Sequence, residues 1–296
     1  MKKIFILFFF FSLLCGADVK NELKQVYLIT IDDADEYWVD VYKGANDALS
    51  ENGKNILLSW IAPNNKNDTE QLELLKTAIA SKASAIILSV NDPLFLNETI
   101  KEASQKGVKF IFIDSSANLI ADQVIQTNNY AAGKAAAKEM LKHLKAKEIT
   151  NANVGIISVN PYTQSLNERE KGFRDTMKNE DFNVFTTRYS DGKPFRAQKE
   201  CQMLLKLGAV GVFSTNEGTS KGVSTAIKEA KKSIVAIGFD FPKNLEELIK
   251  DDVFSSAIRQ NPYQMGYESM KSAIKLLNNE PLNSRFVDTG IDIISK

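Results

Sequence analysis

Two of the 296 residues are cysteine, Cys15 and Cys201, and one is histidine, His143. A disulfide framework needs several paired cysteines and a structural zinc site needs four Cys or His ligands, so the chain has material for neither. An excess of one charge is also lacking, because 37 Lys and Arg balance 37 Asp and Glu. No block of like charge is long enough to act as a nucleic-acid arm or a polybasic membrane tether, which sets DNA binding aside. After the first 14 residues, no apolar run approaches the roughly 20 residues a membrane span requires. Gly-x-Ser-x-Gly, the P-loop and Gly-x-Gly-x-x-Gly are absent as well, so hydrolase, nucleotide-driven and dinucleotide chemistries lack their usual footholds. What is present is 44% hydrophobic and 25% charged. That is the balance of a globular protein with enough apolar material for one large core or two medium ones.

The N-terminus combines Met1-Lys2-Lys3, an apolar run from Ile4 to Leu14, and Cys15-Gly16-Ala17 before Asp18 and Lys20. A basic start, an apolar middle and a small-residue site make an export signal over residues 1–17, cleaved after Ala17. Phe and Leu cover every face of this run, which argues against a buried amphipathic helix. Lipidation at Cys15 is the competing reading, weakened by the bulk of Leu14. The mature chain is therefore expected in the periplasm. Cys201 lies in the helical pattern Gln198–Leu205 with no histidine close in sequence to activate it, so it reads as core packing.

From Gln25 onward, short β-branched runs alternate with longer segments of helical period, the order that builds parallel sheets with crossover helices. Strands are expected at 25–31, 55–60, 85–90, 108–113 and 124–127. Helices are expected at 37–52, 69–81, 94–106 and 129–147. The pattern restarts at Asn153–Val159, with further strands at 183–189, 210–214, 234–237 and 255–258. Helices in this half begin near Ser165, Arg196, Glu217 and Leu245, and a last helix at 263–278 precedes a strand at 286–288. No Pro- or Gly-rich linker separates the two halves, so the chain has to pass between them through ordinary strands.

Open parallel sheets bind ligands at the carboxyl ends of their strands, and these ends are unusually polar here. The first strand runs into Asp32-Asp33-Ala34-Asp35-Glu36-Tyr37-Trp38. Later strands run into Asn91-Asp92, Asp114-Ser115, Thr215-Asn216-Glu217 and Asp240. Carboxylates and amides suit a hydroxyl-rich molecule, since each hydroxyl both donates and accepts. The acidic run 32–36 lacks Asp-x-Asp-x-Asp-Gly spacing, so it reads as solvation plus one ligand contact, with no metal and no cofactor.

Several landmarks in their order carry a family likeness. They are Tyr37-Trp38-Val39 with Lys43-Gly44-Ala45, Ile111-Phe112-Ile113-Asp114, and Asn167-Glu168-Arg169-Glu170-Lys171-Gly172-Phe173. After these come Ser214-Thr215-Asn216-Glu217, Gly238-Phe239-Asp240 and Ala257-Ile258-Arg259-Gln260. Over the mature length the chain resembles the periplasmic sugar-binding proteins of the ribose-binding, LacI-like type. The resemblance implies an α/β fold of two doubly wound parallel-sheet lobes joined by a multi-strand hinge. The first lobe would be 18–127 completed by about 261–288, and the second 128–260 completed by about 289–296. It also implies ligand-binding roles for Asp35, Tyr37, Trp38, Asn91, Asp114, Arg169, Asn216, Asp240 and Gln260. Tyr37 and Trp38 would stack on sugar faces, Asp114 would accept from hydroxyls and Arg169 would donate to the ring oxygen.

The departures bear on the ligand. Ser115 stands where the ribose-binding pattern has an arginine, and Asp35 stands where an asparagine is usual. Losing a cation and gaining an anion makes the site more acidic, so a different sugar, a polyol or an amino-bearing ligand is expected in place of ribose. The reading is a monomeric receptor that closes by hinge motion on a sugar-like ligand. Its partner would be the membrane permease of an ABC importer, with a periplasmic sensor domain as the alternative, and no nucleic acid. Two rival readings are a glycoside-processing enzyme using Asp114 and Asp240 as a carboxylate pair, and a transcriptional regulator, which the export signal displaces. Each residue also has a plainer role to set against this. Arg169 could pair only with Glu168 or Glu170, Tyr37 and Trp38 could start a helix core face, and His143 sits among lysines on an expected exposed face.

Overall fold

A computed structural model describes residues 23–296 apart from 34, 65–66, 231–232 and 241–244. The export signal and Cys15 lie outside the described residues. In the first half, β1 (Lys24–Ile29), α1 (Glu36–Asn52), β2 (Ile56–Ile61), α2 (Asp68–Ala80), β3 (Ala83–Leu88), α3 (Asn97–Gln105), β4 (Lys109–Ile113) and β5 (Gln123–Gln126) follow one another. The second half comprises α4 (Asn129–Ala146), β6 (Ala152–Ser158), α5 (Gln164–Met177), β7 (Phe182–Val184), β8 (Arg188–Tyr189) and α6 (Pro194–Lys206). It continues with β9 (Ala209–Ser214), α7 (Glu217–Ala230), β10 (Val235–Phe239), α8 (Leu245–Lys250) and β11 (Ser256–Gln260). Helix α9 (Pro262–Leu277) and strands β12 (Phe286–Asp288) and β13 (Ile291–Ser295) close the chain.

The strands form two sheets, ordered β12-β5-β4-β3-β1-β2 and β13-β11-β10-β9-β6-β7, with β8 beside β6. Among the described residues every pairing is parallel except that of β13 with β11, in which Ser256 to Gln260 oppose Ser295 to Ile291. Helices cover both faces of each sheet, so the central strands carry unbroken apolar runs such as Ala85-Ile86-Ile87-Leu88 and Val235-Ala236-Ile237. The chain passes between sheets three times, from β5 to α4, from β11 to α9 and from β12 to β13. The fold is thus two parallel-sheet α/β lobes.

Glycines set the tightest helix crossing in each lobe. In the first, α1 and α9 meet where a Cβ on Gly44 would strike the Tyr263 carbonyl and one on Gly266 would strike that of Val41. In the second, α4 and α5 meet where Gly133 abuts the Arg169 carbonyl and Gly172 that of Tyr130. The close approach seats Trp38, Val41, Ala45 and Met265 together in one core, and Ala132, Ala136 and Phe173 in the other.

Three local expectations are corrected. The run 183–189 is not one strand, because the Arg174 guanidinium holds the carbonyls of Val184 (3.3 Å) and Phe185 (2.8 Å) and the Thr187 hydroxyl (2.8 Å), which bends the chain between β7 and β8. Helix α3 starts at Asn97 and not at Leu94, because Asp92 Oδ1 accepts from the N–H groups of Leu94 and Phe95 and holds a turn there. His143 is not on an exposed face. Its Nε2 lies 2.8 Å from the Ser256 hydroxyl, and the same hydroxyl donates to Glu139 at 2.7 Å. Burial lowers the His143 pKa, opposed by the charge of Glu139.

Candidate functional site

The carboxyl ends of both sheets point into one cleft between the lobes. Asp114 follows β4 and Asp240 follows β10, each in left-handed backbone, with φ of 56° and 46°. Asp tolerates this region better than most residues, and both carboxylates approach one guanidinium from there. Between them stands Arg169 of α5, with Nη2 3.9 Å from Asp114 and Nη1 3.9 Å from Asp240.

Arg169 is 2% exposed and fixed from several directions. Its Nε donates to Asn129 Oδ1 and its Nη1 to the Thr215 carbonyl, both at 2.8 Å. Its Cζ lies 3.8 Å from the centre of the Phe239 ring, against which the planar guanidinium stacks. The plainer role is corrected here: Glu170 pairs with Arg174, and Glu168 accepts from Gln164. At 3.9 Å, Asp114 and Asp240 face Arg169 as charge partners, a little beyond direct hydrogen-bond range.

The carboxylates differ in their own lobes. Tyr37 O–H donates to Asp114 at 3.2 Å. Burial, reinforced by the charges of Asp114 and Asp240, holds the Tyr37 phenol well above its ordinary range, so it is a neutral donor. Asp240 accepts from the backbone N–H and the Nε2 of Gln260 at 3.2 and 2.6 Å. Burial still pushes the Asp240 carboxyl up to about 6, against the lowering influence of Arg169 and Gln260.

All nine residues named from the sequence lie along the cleft. They are not equivalent there. Trp38 is 2% exposed and packs into the apolar layer under α1, edge-on to Tyr37 at 4.8 Å, so it serves the core and the cleft wall together. Asn91 donates its amide to Asp68 at 2.6 Å and its backbone N–H to Gln71, which also ties the carbonyls of Thr30 and Ser89. Asn216 uses its Oδ1 to cap α7 at the Thr219 N–H. Asp35 is the N-cap residue of α1 at the rim, its N–H held by Asp32. Gln260 ends β11 where the chain leaves for α9, and its buried Oε1 has no hydrogen-bond partner among the described residues.

Four further polar residues share the wall: Asn160, Thr163, Ser165 and Glu217. Asn160 follows β6, so applying the strand-end rule to that strand finds it. Glu217 is buried beside Lys221, 2.5 Å away; burial raises its pKa and Lys221 opposes the rise. Cys201 is fully buried in the second lobe, and burial pushes its thiol up to about 12, which makes it inert. Among the described residues no group of three or more His, Cys, Asp or Glu side chains could hold a metal ion, so the acidic run after β1 forms no cage there.

The arrangement offers a fixed cation, a carboxylate from each lobe, amides and an aromatic wall, which matches the alternating donors and acceptors of a small polyhydroxylated molecule. A family model described as periplasmic binding protein domain matches residues 26–281. Ribose import binding protein RbsB of Escherichia coli is 23% identical over 256 residues, covering 84% of this chain and 83% of that protein. An ABC transporter solute binding protein from Agrobacterium vitis, solved with bound D-fucose, is 28% identical with a TM-score of 0.87, over 92% of this chain and 95% of that one. A carbohydrate transporter solute binding protein from Agrobacterium radiobacter, in complex with D-arabinose, is also 28% identical with a TM-score of 0.87, over 93% and 95% of the two chains.

Proposed function

The chain belongs to the periplasmic binding protein domain family, and on that premise we propose that it is the periplasmic sugar receptor of an ABC importer. It takes a monosaccharide-sized ligand between its lobes, closes by bending at the three crossings, and presents the closed form to the membrane permease. The observation that carries this reading is Arg169, buried, clamped by Asn129 and Thr215, and set between one carboxylate from each lobe. A ligand that bonds to Arg169 and to both carboxylates has to engage both lobes at once, which couples binding to closure. The nine residues from Asp35 to Gln260 are the proposed contacts, with Tyr37 and Trp38 as the aromatic wall. A relative named for ribose import and solved structures with bound D-fucose and D-arabinose support a monosaccharide as the ligand.

Receptor function is favoured over glycoside chemistry because Asp114 and Asp240 face the same guanidinium, where each serves as its charge partner. Ribose is not the expected ligand. Position 115 supplies a short hydroxyl that meets Ser165 and does not line the cleft, so among the described residues Arg169 is the one arginine lining it.

The test is a thermal-unfolding screen of the chain from Asp18 onward against pentoses, hexoses, deoxysugars, amino sugars and polyols. Saturation at about 100 times Kd stabilises by roughly 2.7 kcal/mol, which moves the midpoint by several degrees. A shift confined to one sugar class is the expected result. No shift with any member overturns the sugar reading, and ribose binding at least as tightly as every other sugar overturns the argument from position 115.

A further inference from the structure

Ser115 and Ser165 meet across the cleft, one from each lobe, with their hydroxyl oxygens 2.7 Å apart. Both are withdrawn from water, at 1% and 4% exposure. Ser115 follows Asp114 at the end of β4, whereas Ser165 lies in the first turn of α5. Each has a rigid mount. On the first lobe, the Ser115 carbonyl accepts from the Val90 N–H at 3.1 Å, which ties the ends of β3 and β4. On the second, Asn160 Oδ1 accepts from the N–H groups of Tyr162 and Thr163 at 3.0 and 2.9 Å, fixing the loop that leads into α5. Thr163 then donates to the Asn91 carbonyl at 3.4 Å, a second and longer bond between the same two edges.

These contacts exist only when the lobes are together. In an open molecule each hydroxyl is hydrated, and closure exchanges water for the facing serine. The net gain per bond is small, but a hydroxyl buried on closure without a partner is costly. The pair therefore favours the closed arrangement whether or not anything occupies the cleft. Ser165 lines the cavity and Ser115 does not. Any influence of Ser115 on affinity must consequently run through the balance of open and closed forms.

We propose that Ser115 and Ser165 form an interlobe latch that holds a fraction of the empty protein closed and so sets ligand affinity without Ser115 touching the ligand. The latch rests on the hinge motion proposed above and is independent of which sugar is bound. While the open form predominates, apparent affinity scales with the closed-to-open ratio, so a latch mutation changes both by the same factor.

The experiment uses no ligand, so a failed sugar screen leaves it intact, and its own failure leaves the sugar reading intact. In the chain from Asp18 onward, spin labels are placed at Glu102→Cys and Lys178→Cys, exposed positions on opposite lobes. Cys201 stays unlabelled because it is fully buried. Pulsed electron–electron distance distributions are then recorded for this protein and for Ser115→Ala, Ser165→Ala and the double variant. The expected result is a closed population in the parent and a closed-to-open ratio lower by roughly threefold to tenfold in either single variant. The double variant should be no worse than either single, because each single change strands one buried hydroxyl and the double change strands none. The two singles sit on different lobes, so an unfolded variant on one side, seen as a lost thermal transition, leaves the other to decide. A parent that is wholly open when empty overturns the latch, as does a folded single variant with an unchanged ratio.

Discussion

Asp114 and Asp240 occupy matching places in the two lobes, each just past the end of a buried strand and each in left-handed backbone. Their support differs. Asp114 receives the Tyr37 phenol from α1 of its own lobe, while Asp240 is held by the amide and backbone of Gln260, the residue at which the chain leaves for the other lobe. The cation that balances both comes from the second lobe alone. The helix crossings repeat this relation: Gly44 with Gly266 in one lobe and Gly133 with Gly172 in the other permit the same close approach, but only Gly133 abuts the backbone of a cleft residue. The two sheets provide equivalent mounts, and chemistry is divided between them by which side chains the mounts carry.

Removing the shared cation should unbalance the two lobes most. Arg169→Met deletes the donors and leaves two carboxylates facing each other, so sugar affinity should fall at least about a hundredfold while circular dichroism retains the helical signal. Near-native affinity by calorimetry would take Arg169 out of the site.

Asp240 gives the next largest effect. Its pKa rises from the ordinary aspartate value of 3.8 to about 6 in the folded chain. Folding therefore takes up a proton between those values, and the stability this contributes is present below about pH 4 and lost as pH rises through about 6. Two pKa units amount to on the order of 3 kcal/mol. Thermal midpoints of parent and Asp240→Asn across pH 4.5 to 7 should diverge in slope, with the parent losing more on the alkaline side. Parallel slopes would mean Asp240 ionises as it does in the unfolded chain.

The glycine crossings give a paired test. Gly44→Ala and Gly133→Ala each force a Cβ against a carbonyl, at a cost of about 1–3 kcal/mol in stability. Only Gly133→Ala should also weaken sugar binding strongly, because it displaces Arg169. Equal binding losses would show that the crossings serve the cleft alike. Tyr37→Phe is the smallest change. It removes one hydrogen bond to Asp114 and should weaken affinity by roughly threefold to tenfold; an unchanged Kd would restrict Tyr37 to its ring.

Much of this was legible from residue order. Parallel sheets place strand ends together, so polar residues after apolar runs marked the cleft from Asp35 to Gln260. The anchors of Arg169 were not legible, because Asn129 and Thr215 stand 40 and 46 residues away and no local pattern ties them to it. His143 misled because its sequence neighbours are lysines, whereas its neighbour on the helix is Glu139, one turn back. The break between β7 and β8 was hidden for a similar reason, since Arg174 of a different element imposes it.

The alternation of strands and helices, the two-lobe α/β class and the residue types that gather at strand ends are written in local residue order. These follow from hydrophobic period and turn chemistry, which act over a few residues. Tertiary structure alone decided that Arg169 stands between the two aspartates, that burial lifts Asp240 to about 6, that Trp38 belongs to the core as well as the cleft, and that Ser115 meets Ser165. Each of these depends on groups brought together from distant parts of the chain, and on the water that leaves when they meet.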